Sequence, residues 1–371
     1  MKKIAVLAGL ILYSVAFGQK INEYEFKHIV NNDHTSVLSQ GQTGTCWSYS
    51  TVSFLESEVK RITGKNVDLS EMFIVRNTYP EKAYNYVYRD GKAQFSEGGL
   101  AHDVINAVRK YGMVPQEAYT GLMGTAEKHD HSIMVDKLTG YVENLVNYKK
   151  AFLTENWQKE FNAILDENMG KAPTTFQFEG KTYTPRQFTE FLKINPDDYV
   201  SISSFTHVPY YKSFVLSIPD NFSNGSFYNL PLDEYMEVMN EALNKGFTLS
   251  FSSDVSESTF SAKQGMAILP LEGKKEDYFK ILLPEKWATA EERQKNFENF
   301  STQDDHLMHI TGILKDQLGN QYYDVKNSWG SDLANGGDVY MSAAFIRMKS
   351  IAFLVHKDAL SKDLKKKLGI Q

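Results

Sequence analysis

Apolar residues recur along this chain with two different periods. Trp47, Phe54, Leu55, Val59 and Ile62 fall at roughly helical spacing and Gly64 is a natural stop, so a helix is predicted to start at about Cys46. Ser70 can cap a second helix carrying Met72, Phe73 and Val75, with a break expected at Pro80. After Ser96-Glu97-Gly98-Gly99, the residues Leu100, Val104, Ile105, Val108 and Tyr111 share one face of a third helix, which Gly112 closes. Residues 19–120 therefore read as a helical lobe. Residues 121–245 carry helix-like stretches at 141–165, 185–192 (Thr184 as cap) and 232–243, separated by loops, and are read as a mainly helical insertion.

From Phe247 the period changes to two. Residues 247–251 alternate, 308–314 are apolar and β-branched, 321–326 alternate again, and 337–341 form another short strand. The turn at 316–320 makes a hairpin of the middle two, with His309 on its first strand and Asn327 just past its second. The fold class is α+β, with residues 246–371 as the strand-rich lobe and a basic, partly amphipathic stretch at 362–368 near the end.

Composition changes this picture in one place only. A formal net charge of -6 over 371 residues implies no pull toward nucleic acid or acidic membranes. Lys2 and Lys3 followed by the apolar run 4–17, with Ala16 and Gly18 as small residues before Gln19, read as a signal peptide over residues 1–18, so export to the periplasm or the extracellular space is expected. That apolar run is shorter than the ~20 residues that span a bilayer, and no stable membrane anchor is expected after cleavage. Cys46 is the single cysteine. In an oxidising compartment it has no internal partner for a disulfide, which leaves a packed thiol or a working one.

A cysteine nucleophile needs a base, a group to orient the base, and donors for the oxyanion. A helix start supplies unpaired N–H groups that favour thiolate. His309 is the expected base, Asn327 the group that holds its ring, and Trp329 a shield over their hydrogen bond; the Gln40 amide and the Cys46 N–H would form the oxyanion hole. His306 competes with His309. The run Asp304-Asp305-His306-Leu307-Met308-His309 also invites a metal reading, which is set aside because strand residues at odd spacing face opposite ways. His309 is preferred because the apolar Ile310-Thr311-Gly312-Ile313 that follows should be buried between the lobes. His129-Asp130-His131 is read as a solvated loop rather than a metal pair, and no metal or organic cofactor is expected.

These residues resemble the papain-like cysteine peptidases. QGQTGTCW at 40–47, LSE at 69–71, SEGG at 96–99, MHITGI at 308–313 and KNSWG at 326–330 match that family's motifs in its order and touch about residues 36–120 and 246–345. The resemblance implies a two-lobed fold with the active site in the cleft between a helical lobe and an antiparallel β lobe. It implies Cys46, His309 and Asn327 as the catalytic cysteine, histidine and asparagine, and Gln40 as the oxyanion-hole glutamine. Gly98, Gly99, Ala101 and Trp329 would line the substrate groove. The long insertion, FTLSFSSDV at 247–255 and YGMVPQEAY at 111–119 are most similar to the bleomycin hydrolase and aminopeptidase C branch, which implies peptide substrates, exopeptidase action, a C-terminus placed in the cleft and a homo-oligomer. Thr43 stands where many secreted relatives have a disulfide cysteine, and the segment 96–99 lacks its partner as well. An endopeptidase of this fold, an acyltransferase using the same thioester and a silent binding module are the alternatives, the last opposed by the intact set Gln40, Cys46, His309 and Asn327.

Overall fold

Helix α1 (Cys46–Thr63) is the axle of the structure, a computed structural model that describes residues 23–148 and 156–371. The expected signal peptide lies outside the described residues. Every residue of α1 from Trp47 to Val59 is buried, although half of them are polar. Such a helix is stable only if each hydroxyl finds a partner. Ser48 donates to the Glu71 carbonyl at 2.9 Å, Ser50 to the Met308 carbonyl at 2.6 Å and Ser57 to the Asp33 carbonyl at 2.8 Å. Gly64, at φ 74°, ends the helix with its N–H on the Lys60 carbonyl. Strand β1 (Phe26–Asn31) precedes α1, and α2 (Glu71–Tyr88) and α3 (Ala101–Tyr111) pack against it. Ser70 caps α2 by accepting the Phe73 N–H at 3.0 Å. Pro80, expected to end that helix, sits inside it. The bond it removes is outweighed by packing on α3 and by Arg76, whose guanidinium reaches Asp166 at 2.7 Å and Asn162 at 3.1 Å.

The stretch 121–245 carries strands as well as helices. It begins with α4 (Ser132–Tyr148) and α5 (Asn156–Met169), continues through a small hairpin, β2 (Phe176–Phe178) and β3 (Lys181–Tyr183), to α6 (Pro185–Phe191), and then supplies β4 (Tyr199–Ser203), β5 (Ser213–Val215) and β6 (Ser226–Asn229) before α7 (Leu232–Asn244). These last three strands extend the central sheet. Their short runs carry little periodicity, and only pairing fixes them as strands.

The remaining elements are β7 (Leu249–Ser253), β8 (Phe260–Ser261), β9 (Met266–Ala267), α8 (Ala290–Glu298), β10 (His306–Asp316), β11 (Gln321–Lys326), β12 (Asp338–Ser342), α9 (Ala343–Lys349), β13 (Ser350–His356) and α10 (Lys362–Leu368). Along the sheet the order is β5-β6-β4-β13-β7-β10-β11-β12-β9-β8, mostly antiparallel, with β1 also paired to β10. Two large apolar cores result, with a small third cluster of Met266, Ile268, Leu314 and Tyr322. One joins α1 to α6 with Leu307 and parts of β13; the other lies under α7, β7, β10, β11 and α9. The basic stretch at 362–368 forms α10, which packs Leu364 and Leu368 into the second core, with Ile370 against it and Lys367 on Glu234 at 3.2 Å.

Between the cores lies a buried polar network. Lys326 Nζ donates to Thr35 and Ser53 at 2.7 Å each, Thr35 donates to Glu56 at 2.5 Å, and Glu56 accepts the Leu69 N–H at 2.8 Å. Burial pushes the Glu56 carboxyl up to about 7 despite Lys326. A raised carboxyl holds its proton in the native state where the unfolded chain has lost it, so stability from this group falls as pH rises from its ordinary 4.5 to about 7. Relative to wild type, Glu56→Gln should gain on the order of 2 kcal/mol between those two pH values. Urea unfolding at both ends of the window measures it, and a difference that does not change with pH would contradict it.

Candidate active site

The Cys46 thiol sits at the first position of α1, where Thr45 offers no side-chain cap. Its approach loop is stitched to the segment after β11. Gln40 N–H donates to the Ser328 carbonyl at 2.9 Å, Gly330 N–H to the Leu38 carbonyl at 3.1 Å, and Ser39 bridges Trp329. The Gln40 side chain is held at both ends. Its Oε1 accepts from the Ser328 hydroxyl at 2.6 Å and its Nε2 donates to the Thr43 carbonyl at 2.6 Å, which leaves one amide hydrogen of Nε2 uncommitted beside the thiol loop.

The structure corrects the choice of histidine. His306, not His309, meets Asn327: its Nε2 lies 2.7 Å from Asn327 Oδ1, an atom that also accepts the Ser328 N–H at 2.8 Å. Trp329 lies over His306 with ring centroids 4.6 Å apart, and Phe260 meets the indole edge-on. His309 is wholly buried on the opposite face of β10, with Nδ1 on Ser53 at 2.9 Å and Nε2 unpartnered. Ser53 is two helical turns from Cys46, a rise of about 10 Å, so His309 belongs to the interior network and not to the thiol. Two features hid this. Strand β10 begins at His306 rather than Met308, and a bulge between Ile310 and Gly312 shifts its register on β11 by one residue. Beyond that bulge His309 pairs with Lys326, and continuing the same register sets residue 306 across from 329. Without the bulge, the register that starts at Gly312 and Asp324 would set Asn327 across from His309, which is why counting from Asn327 misleads.

Of the other expected groove residues, Gly99 lies so close to the Trp47 ring that an added Cβ would come within 3.1 Å of it. A Cβ at Gly98 would run into the Asp220 carboxylate. Trp329 is 40% exposed, whereas Ala101 opens α3 buried in the first core. Lys82, unnoticed in the sequence, reaches from α2 to the Ser96 and Gly98 carbonyls and fixes the loop that carries both glycines.

Burial dominates the electrostatics. It pushes the Cys46 thiol up to about 12, with Asp304 and Asp220 adding to the shift and the backbone at Leu307 and Trp47 opposing it. It holds the His306 imidazole down to about 4, against the Asn327 hydrogen bond. Burial thus favours the neutral form of each group. The α1 N-terminus works the other way and favours thiolate at the sulfur.

The chain belongs to the Peptidase C1-like family, whose model matches residues 85–371, and it is a cysteine-type peptidase. It is similar to the aminopeptidase G of Lactobacillus delbrueckii subsp. lactis (25% identity over 88% of this chain and 82% of that one), to the aminopeptidase C of Listeria monocytogenes (22%, 91% and 83%) and to the mitochondrial cysteine proteinase 1 of Saccharomyces cerevisiae (23%, 94% and 80%). The crystal structure of PepW from Lactobacillus rhamnosis shares the fold, with a TM-score of 0.73 at 19% identity over 92% of this chain and 84% of that chain.

Trp329→Ala should wet the His306–Asn327 bond and let the His306 pKa rise from about 4 toward its ordinary 6.5. The acid limb of the kcat/KM profile then moves to higher pH, and kcat falls roughly tenfold or more. An unchanged acid limb would show that the indole does not shield the imidazole.

Proposed function

We propose that this protein is a cysteine aminopeptidase in which Cys46 is the nucleophile, His306 the acid and base, Asn327 the group that orients His306, and Gln40 with the Cys46 N–H the oxyanion hole. The observation that carries the reading is the 2.7 Å bond from His306 Nε2 to Asn327 Oδ1 beneath Trp329, on a strand whose next residue, Leu307, bears on the Cys46 thiol. Because Nε2 donates to an acceptor that has no proton to give, Nδ1 is the nitrogen free to take the thiol proton. Sulfur attacks the peptide carbonyl as its proton passes to Nδ1. The oxyanion collapses, the C–N bond breaks, and the leaving amine takes that proton, which leaves a thioester. Water then gives a proton to Nδ1 and attacks the thioester, and sulfur departs to recover it. The names of the relatives support N-terminal cleavage.

Cys46→Ala should abolish turnover with the fold intact. His306→Ala should lower kcat/KM by about 10³-fold or more, while His309→Ala keeps turnover and loses stability through its cavity. Loss of turnover in His309→Ala with retention in His306→Ala would reverse the assignment.

On the same reading the protein acts outside the cytoplasm, supported by the basic start and apolar run of residues 2–17. N-terminal sequencing of the protein recovered from its native cells should begin at Gln19; a start at Met1 or Lys2 would refute cleavage.

A further inference from the structure

Two acids outside the proposed catalytic set bear on the charge of the nucleophile. Asp304 precedes His306 by two residues. Its neighbours are tied down: Gln303 N–H donates to Asp254 at 3.1 Å, and Asp305 accepts the Val255 and Ser256 N–H groups at 3.3 and 3.2 Å. Asp304 is left turned inward with both carboxylate oxygens out of solvent and neither hydrogen-bonded. The Ser252 hydroxyl eases the acid from outside hydrogen-bond geometry, and burial still pushes it up to about 7. A desolvated carboxyl without a donor costs several kcal/mol in either protonation state unless something fills its oxygens.

Asp220 arrives from the loop 216–225. Asn221 builds that loop by donating to the Leu216 and Gly225 carbonyls at 2.8 and 2.9 Å and accepting the Gly225 N–H at 2.8 Å. Ser223 meets His102 of α3 at 3.0 Å, and Phe222 lies against the Lys82 ammonium. The Asp220 carboxylate is thereby set on Gly98, with Gln94 donating to it at 2.9 Å. From the thiol outward the wall runs Cys46, Trp47, Gly99, Gly98, Asp220. Asp304 and Asp220 are close enough for their charges to act on one another and on Cys46. Lys82 lies close enough for its charge to act on Asp220, while its nitrogen donates to two carbonyls.

We propose that Asp304, with Asp220 across from it, receives the free α-ammonium group of the substrate. This rests on the aminopeptidase reading and names the residues behind it. When the carbonyl carbon of an N-terminal residue is at Cys46 Sγ, its α-nitrogen is about 2.5 Å from that carbon, and a charge-assisted hydrogen bond reaches about 2.8 Å further. An acid that reads the amine must therefore lie near the thiol; Asp304 sits two residues before His306, Asp220 sits on Gly98, and the charges of both act on Cys46. The same contact couples recognition to chemistry. Both acids oppose thiolate in the empty site, and a bound ammonium cancels that opposition, so Cys46 is best activated under a substrate with a free amine.

The test compares aminoacyl amides with their N-acetyl forms on the full-length wild type, Asp304→Asn and Asp220→Asn, and measures alkylation of Cys46 by iodoacetamide in the absence of substrate. Wild type should prefer the free amine. Each variant should lose about tenfold or more of that preference, chiefly through KM, while Cys46 is alkylated faster than in wild type because an opposing charge is gone. Wild type that cleaves acetylated substrates equally well overturns the aminopeptidase reading itself. Wild-type preference that survives in both variants, with unchanged alkylation, overturns this proposal alone. Should Asp304→Asn fail to fold, Asp220→Asn decides by the same two measurements.

Discussion

The contact on which the structure depends is a seam of hydroxyl groups between α1 and the strands β10 and β7. Helices packed on sheets through apolar side chains alone can settle a turn higher or lower at small cost, since one aliphatic contact replaces another. Here Ser50 meets both the Met308 carbonyl and the Ser250 hydroxyl, Thr51 meets Ser250 at 3.0 Å, and Ser53 meets His309 and Lys326. A shift by one turn would leave several buried polar groups unpaired, at about 1–3 kcal/mol each. The seam therefore sets the register between the lobes. It brings the start of α1 level with Leu307, and with it the thiol beside the residue that follows His306.

The same seam explains why the second histidine exists. His309 and His306 are three residues apart on one strand and so look to opposite faces of it. His309 faces the helix and joins the Lys326, Thr35 and Glu56 network, where a neutral imidazole can both accept and pack. His306 faces Asn327 and Trp329, at the end of the strand where the cleft opens. The bulge at Thr311 lets both arrangements coexist, because one extra residue in β10 re-aims everything before it relative to β11.

Much of this was legible in the chain, and the failures have particular causes. The α1 start, the caps of α2 and α6, and the β10–β11 hairpin follow from local periodicity and capping chemistry, which neighbouring residues determine. Gln40, Cys46, Asn327 and Trp329 were singled out from chemical need and resemblance, and the structure brings Gln40, His306, Asn327 and Trp329 around the segment that carries the thiol. Choosing His309 failed because both histidines open the same apolar strand and the bulge that sets their register leaves no trace in composition. Strand β4 escaped notice since its main partner, β13, lies far along the chain, and β5 and β6 because they are three or four residues long and pair only with each other and with β4. Pro80 misled because helix propensity is a weak constraint once both faces are packed. Asp220 and Asp304 are 84 positions apart, and nothing local connects them.

Low polarity makes this site difficult to charge and makes the charge effective once formed. Burial favours the neutral thiol, the neutral imidazole and the protonated Asp304 alike. Each is an unfavourable place for a lone charge, and each sits beside a group of opposite tendency: sulfur beside a base, carboxyl beside the path of an amine. Charges introduced in pairs avoid most of the desolvation penalty, since the partners screen one another in a medium of low dielectric. A free ammonium on the acids and a proton on His306 are two such pairings, and the first lowers the cost of the second. An uncharged acetylated terminus brings only its shape. A cleft built this way gains selectivity from the same burial that keeps its nucleophile quiet when empty.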